Sequence, residues 1–401
     1  MKQGWEIKSL GEIADVEYGF TDKSTEEGNY RYVRITDIDN NGELISSEKK
    51  YLKHSKEAET FLIHDNDILM ARTGATFAKV LLYEDLEPSV FASYLIRIKF
   101  REKIENKLYW YFSKTKSYWD QANSLASGAA QPHFNGAALK QVIFSYPKSI
   151  SEQQRIVSIL DEAFSAIAKA KANAEQNLRN AKELFESYLQ GVFEIKGDGW
   201  EEKMLKEIGI TQTGTTPKTA DKENYGEYIP FIKPADIDIK GNGEIRYDKD
   251  GLSEQGLKIG RKMLNGSILM VCIGATIGKV GFVDRDVSCN QQINSLTVKK
   301  DFSQKFIYYA LSTKGFYDQI MLNSAQATLP IINKGKWETL TVSFPKSKIE
   351  QEKIANTFDL LQAETKKLEA IYQQKINDLE ELKKSILQKA FSGELSTRGQ
   401  D

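Results

Sequence analysis

The sequence predicts an α+β protein: two repeated mixed α/β domains separated by two long antiparallel coiled-coil helices. Three observations predict it. The chain repeats itself at an offset that drifts only between 195 and 201 residues. Two stretches carry core-type residues at about 3.5-residue spacing, the period of a helix packed along another helix. Short runs that alternate in strand fashion, separated by turn residues such as Asp39-Asn40-Asn41-Gly42, fill the rest.

The repeat covers both halves. Gly4-Trp5-Glu6 returns as Gly199-Trp200-Glu201, and Leu10-x-Glu12-Ile13 as Leu205-x-Glu207-Ile208. Gly74-Ala75-Thr76-x-x-Lys79-Val80 returns as Gly274-Ala275-Thr276-x-x-Lys279-Val280. Pro132-x-x-Asn135 matches Pro330-x-x-Asn333, and Ser145-x-Pro147-Lys148 matches Ser343-x-Pro345-Lys346. A globular unit followed by a long helix is therefore written twice.

In chain order, 1–148 forms the first domain. Strands are expected over Tyr30–Ile38, Asp67–Ala71, Lys79–Tyr83 and Phe91–Phe100, with one helix over Glu102–Ala122 that buries Leu108, Tyr111, Phe112 and Trp119. The first long helix takes 149–195. Pro147 closes the preceding segment, Ser149 and Glu152 form a capping box, and no Pro or Gly interrupts before Gly191. Its seam is Ile156, Leu160, Ala163, Ile167, Ala170, Ala174, Asn177, Ala181, Leu184 and Tyr188. After a short Gly197–Gly199 link, 196–346 forms the second domain. The second helix and a tail that frays after Gly393 take 347–401. The second seam is Ile354, Phe358, Leu361, Thr365, Leu368, Tyr372, Lys375, Leu379, Leu382 and Ile386. Each helix of about 43 residues would be roughly 60 Å long.

Antiparallel pairing sets small against large: Ala163 on Leu379, Ala170 on Tyr372, Ala174 on Leu368, Ala181 on Leu361. Asn177 meets Thr365, and Ile167 meets Lys375, whose stem must snorkel outward. Packing allows a parallel pairing as well. Connectivity favours the antiparallel one, because a compact second domain brings the end of the first helix to the start of the second.

The totals narrow the class. The chain has 401 residues, room for two or three domains, with 28% charged and 40% hydrophobic residues, ordinary for a globular protein. No apolar run is long enough for a membrane span, and the N-terminus lacks a signal core, so a cytoplasmic protein is expected. Two cysteines, Cys272 and Cys289, suit a reducing compartment and argue against a disulfide or zinc site. A net charge of −1 excludes a uniformly basic nucleic-acid coat but permits a local basic face.

Catalytic motifs are wanting. Gly274 to Val280 is one residue short of a phosphate loop and has Val280 where magnesium would need Ser or Thr, so a tight turn between strands is expected. Glu48-Lys49-Lys50 matches the end of a metal-nuclease motif, but its repeat, Asp248-Lys249-Asp250, loses the lysine. No metal site and no catalytic residue is assigned.

The Trp-Glu opening, Asp67-Ile68-Leu69-Met70-Ala71-Arg72-Thr73-Gly74, Gln131-Pro132, and Pro147 through Glu152-Gln153-Gln154-Arg155-Ile156 carry a resemblance. Ser267-Ile268-Leu269-Met270-Val271, Leu329-Pro330, and Pro345 through Glu350-Gln351 repeat it. Together, over essentially the whole chain, they resemble the specificity subunit of type I restriction–modification enzymes. No single motif is specific; the duplicated order is.

The resemblance implies a non-catalytic DNA-binding subunit. Each globular domain would be a target-recognition domain reading one half of a bipartite, asymmetric site in double-stranded DNA. The paired helices would fix the gap and dock two methyltransferase subunits. Whether restriction/translocase subunits join stays open. No cofactor is expected on this chain; S-adenosylmethionine and ATP with magnesium would sit on the partners, and no membrane is involved. Candidate phosphate contacts are Arg34, Arg72 and Lys79, with Lys233 and Lys279 at matching places. Candidate base contacts, in divergent loops, are Arg31, Lys53, Gln131 and His133, and Lys258, Arg261, Gln326 and Thr328. Two other classes stay open: a two-domain interaction scaffold on a helical spacer, and a nuclease using Glu48 and Lys50.

Overall fold

The computed structural model describes residues 4–45, 47–128, 133–238, 243–326 and 329–396. The chain divides into two compact units, one of 1–174 with 374–401 and one of 175–373. Each unit holds one globular head and part of both long helices, Ile150–Ile195 and Lys348–Ser392.

In the first unit, Trp5–Ser9 pairs antiparallel with Ile143–Pro147 and so joins the two ends of the head just before the long helix starts. A four-stranded antiparallel sheet follows the order Ala14–Tyr18, Leu95–Phe100, Ile68–Ala71, Val80–Leu82. A smaller sheet sets Tyr30–Val33 between Tyr51–Leu52 and a parallel neighbour, Ser89–Phe91. The second unit repeats the plan. Its ribbon is Trp200–Met204 with Thr341–Pro345, and its main sheet runs Gly209–Thr213, Ile293–Val298, Ile268–Val271, Val280–Phe282. An added strand, Lys262–Met263, extends its smaller sheet.

Several expected elements are cut shorter. The strand from Tyr30 stops at Val33, where Asp37 accepts from the Arg34 N–H and a 3-10 turn begins. The single helix expected over Glu102–Ala122 is two helices, Asn106–Phe112 and Lys116–Leu125. Thr115 breaks it by accepting from the Tyr118 N–H at 3.2 Å as an N-cap. Thr313 does the same between Gln304–Leu311 and Lys314–Asn323. The expected turn after Ile268–Val271 forms: Gly274 and Gly278 adopt φ +104° and +89°, and the Gly278 N–H returns to the Val271 carbonyl at 2.8 Å.

Each head shares its core with the helices. In the first unit Leu10, Met70, Tyr109, Phe112 and Phe144 pack with Ile156, Leu160, Leu387 and Ala390. In the second, Leu205, Met270, Phe306 and Trp337 pack with Leu189, Ala355 and Phe358. The same two clamps recur. Tyr111 donates to Asp161 at 2.5 Å, and Tyr309 to Asp359 at 2.7 Å. Gln153 and Gln351, both buried, hydrogen-bond the backbone of their own heads. In the first unit the helices run antiparallel, with Arg155 on the Leu395 carbonyl and Lys171 on Glu380.

The heptad seam holds only in part. Ile156, Leu160, Ile167, Ala174 and Ala181 are buried, and Lys375 is exposed as a snorkelling lysine requires. Asn177 is exposed, however, and Leu184, Tyr188 and Leu382 are 48%, 44% and 47% exposed. Leu189 and Leu387 turn inward instead, with Phe193 on Phe306 and Phe391 on Phe112. The cause is the head. At each helix's C-terminal end the buried face is set by the globular core as well as by the partner helix. The natural 3.6 period then replaces the coiled-coil 3.5.

Lys114 lies at the break between the two short helices of the first head, 3.1 Å from the centre of the Trp110 ring. Burial pushes its ammonium down to about 7, and repulsion from Lys383 and Lys107 adds to this. Glu43, Asp39 and the ring face work the other way. A lysine with a lowered folded pKa costs stability wherever the unfolded chain is protonated and the folded one resists it. That cost is full below pH 7 and vanishes above the unfolded value near 10.4. Lys114→Met is expected to raise stability at pH 7 by about 1–3 kcal/mol and to flatten the rise of stability between pH 7 and 10, measured by denaturant unfolding across that range.

Candidate nucleic-acid interface

The candidate residues differ in their surroundings. Arg31 is not a surface contact. It is 2% exposed, donates to Asp85 at 3.1 Å and to the Ile45 carbonyl, and stands in a strand paired on both edges. Its partners lie far off in sequence, so it is an internal tie and not a base contact. Arg34 and Lys233 are partly committed: Arg34 bonds Asp37 at 2.7 Å and the Glu48 carbonyl, and Lys233 bonds Asp250 at 2.8 Å. Lys79 donates to Asn40 at 2.7 Å, and Lys279 approaches the Ile237 and Asp238 carbonyls at 3.4 and 3.5 Å. Those last two keep equivalent places on the same turn of each head.

Lys53 and Lys258 are exposed. Arg261 is exposed and donates to the Thr213 carbonyl at 2.8 Å. Gln131 and Thr328 lie outside the described residues, as does the side chain of Gln326. Lys50, the candidate nuclease lysine, forms an ion pair with Glu26. Among the described residues no group of three or more His, Cys, Asp or Glu gathers to hold a metal ion. Both cysteines are free and buried, and burial pushes each thiol up to about 12. No helix among the described residues is long and apolar enough to cross a membrane.

One cluster does assemble. Three neighbouring strands of the first head's main sheet end together, with Tyr18 opposite Ile96 and Ala71 opposite Leu95. The residues at those ends are Tyr18, Arg72 and Tyr94. The Arg72 guanidinium carbon sits 5.3 Å from the Tyr18 ring centre and 5.1 Å from that of Tyr94. His133 bridges to Thr73 and Ser127 beside it, and the Phe134 N–H bonds the Arg72 carbonyl at 2.8 Å. Arg72 and His133 are thus brought together, as members of the candidate set. Tyr18 and Tyr94 were not in that set. No local pattern marks them, because only strand register puts residues 18, 72 and 94 side by side.

Comparison with known proteins agrees with this duplicated architecture. The family model described as "Type I restriction modification DNA specificity domain" matches residues 2–176 and 197–381. The HindI specificity subunit of Haemophilus influenzae is 31% identical over 40% of this chain and 36% of its own length. The MjaIX specificity subunit of Methanocaldococcus jannaschii is 28% identical over 43% of this chain and 41% of its own length. The alignments therefore span about two fifths of those two relatives. The EcoBI specificity subunit of Escherichia coli is 21% identical over 98% of this chain and 87% of its own. In fold, the chain is similar to one in a solved structure of the type I R-M system, with TM-score 0.75, 18% identity, and coverage of 97% of this chain and 98% of that one. It is also similar to the HsdS subunit of Thermoanaerobacter tengcongensis, with TM-score 0.65, 17% identity and 98% of both chains covered. With two copies of the specificity domain and both long helices in place, this chain belongs to the type I restriction–modification specificity subunits.

Proposed function

We propose that each head reads one half of a bipartite, asymmetric sequence in double-stranded DNA. The two long helices fix the gap and dock two methyltransferase subunits. One observation carries this reading: the contacts that fix a head to the helices are duplicated, while the strand-end surfaces differ. Gln153 and Tyr111–Asp161 recur as Gln351 and Tyr309–Asp359. Tyr18, Arg72 and Tyr94 correspond to Thr213, Cys272 and Gln292. A common mounting with two different faces suits two different half-sites at a set distance.

In this reading the chain performs no chemistry. S-adenosylmethionine, and ATP with magnesium where restriction subunits join, belong to partner subunits, and the complex methylates or cleaves DNA. Near-neutral total charge is compatible with it, because the salt-dependent phosphate term can be shared across the assembly.

The test is selection of a random duplex library by the full chain, alone and with a co-expressed type I methyltransferase subunit. The expected product is two short base blocks at one constant separation. Enrichment of one continuous block, or no retention of duplex in either form, would overturn the reading.

A further inference from the structure

The geometry points to Arg72, gripped between Tyr18 and Tyr94, as the group with which the first head reads a guanine in the major groove. This rests on the DNA-recognition reading above and assigns the atoms that carry it.

Arg72 differs from every other arginine among the described residues. Arg31, Arg34, Arg97, Arg101, Arg246 and Arg285 bond carboxylates, Arg155 a carboxylate and a carbonyl, Arg179 an amide, and Arg261 a carbonyl. The Arg72 side chain has no hydrogen-bond partner among the described residues. Its Nε is buried and unpartnered, its two terminal nitrogens are not among the buried atoms left without a partner, and the residue as a whole is half-buried. The side chain is held by ring faces instead. Tyr18 is itself fixed, since its hydroxyl accepts from the Gly136 N–H at 2.8 Å, and both rings are substantially exposed, at 41% and 51%.

Cation–π contact holds a guanidinium without using its donors. What remains is a planar end-on fork, the pattern that matches O6 and N7 of guanine. A phosphate contact would ask for less, since a flexible lysine serves as well. It would also recur in the second head, because holding the backbone is the same task at both half-sites. Lys79 and Lys279 recur in that way. Arg72 does not: its counterpart is Cys272, flanked by Thr213 and Gln292. A group present in one head only is placed where the two half-sites must be told apart.

The experiment compares wild type, Arg72→Lys, Arg72→Ala and Tyr94→Ala as full chains, by selection from a random duplex library and by salt titration on the selected site. Unchanged thermal unfolding confirms that each variant is folded. The expected result is a guanine preference at one position of one half-site. It falls roughly 10- to 100-fold in both Arg72 variants and by less in Tyr94→Ala. The other half-site and the salt slope stay unchanged. An equal loss on all sequences, with the salt slope reduced by about 0.9, would make Arg72 a phosphate contact and overturn the proposal. Retained preference in Arg72→Ala would overturn it too. A wild-type chain that retains no duplex, either alone or with the co-expressed methyltransferase subunit, removes the underlying reading, and the proposal with it.

Discussion

Arg97→Met is expected to destabilise the first unit by about 3–5 kcal/mol, seen as loss of hydrogen-exchange protection in 1–148 well before the second head is affected. Arg97 is 2% exposed. It donates to Glu17 at 2.7 and 3.0 Å, to the Leu62 carbonyl at 2.6 Å and to Asp67 at 3.2 Å, with its guanidinium 4.7 Å from the Phe91 ring centre. It therefore ties the main sheet to the loop that leads into Ile68–Ala71. Methionine fills the volume but leaves the Leu62 carbonyl without its donor and the Asp67 carboxylate with the His64 N–H in place of a cation. The acid limb should change as well. Burial alone would raise the Glu17 pKa, but Arg97 and then Lys99 outweigh it and hold the carboxylate below its usual range. A depressed folded pKa gives stabilisation that is present above the unfolded value near 4.3 and is lost as pH falls through the folded one. Wild type should lose that increment below about pH 4.3, and Arg97→Met should have none to lose there. The second head offers a control, since Ser295 occupies this place with its hydroxyl on the Met263 sulfur at 2.8 Å. Ser295→Ala should cost under about 1 kcal/mol. A loss below about 1 kcal/mol for Arg97→Met would show that water satisfies the abandoned groups.

What could be read in advance depended on sequence distance. The duplication was legible because the matched pieces are contiguous, and the helices because their period is local. Thr115 was legible in principle as a cap, yet the apolar face running across it suggested one helix. The seam failed at Leu184, Tyr188 and Leu382, where a head adds a second packing surface that no heptad count contains. Arg31 shows the limit most sharply. In Tyr30-Arg31-Tyr32-Val33 alternation gives no sign that the strand is covered, and its partners Asp85 and Ile45 lie 54 and 14 positions away. Arg72 stood in the candidate set as a phosphate contact. That its side chain is the unpaired one among the described arginines, and that two rings hold it, followed only from strand register.

Gln153 and Gln351 stood in the sequence as the glutamine of a Glu-Gln pair opening each long helix, with no visible task. Their burial, at 0% and 1% exposure, assigns one. The Gln153 carbonyl accepts from the Glu105 N–H at 2.8 Å, and its amide donates to the Pro147 and Lys103 carbonyls at 2.8 and 3.3 Å. Gln351 accepts from the Ser303 N–H at 2.9 Å and donates to the Pro345 carbonyl at 2.8 Å. Each amide thus satisfies the start of a head's short helix pair and the last strand at once, from the first turn of the long helix. Alanine leaves a buried N–H and a buried C=O unpaired, and each such group costs about 1–3 kcal/mol. Gln153→Ala and Gln351→Ala should each lose about 2–4 kcal/mol by denaturant unfolding, confined to their own units. Glutamate should be no better than alanine. Its carboxylate can still accept from the N–H, but it faces the Pro147 or Pro345 carbonyl with an acceptor where a donor is needed, and it adds a buried charge. If glutamate were tolerated while alanine was not, volume would be the cause, and the donor to proline would be dispensable. If the ordering holds, the pair Gln153 and Gln351 fixes the angle at which each head leaves the helices. The double variant, still folded, should then enrich half-sites at several separations where wild type enriches them at one.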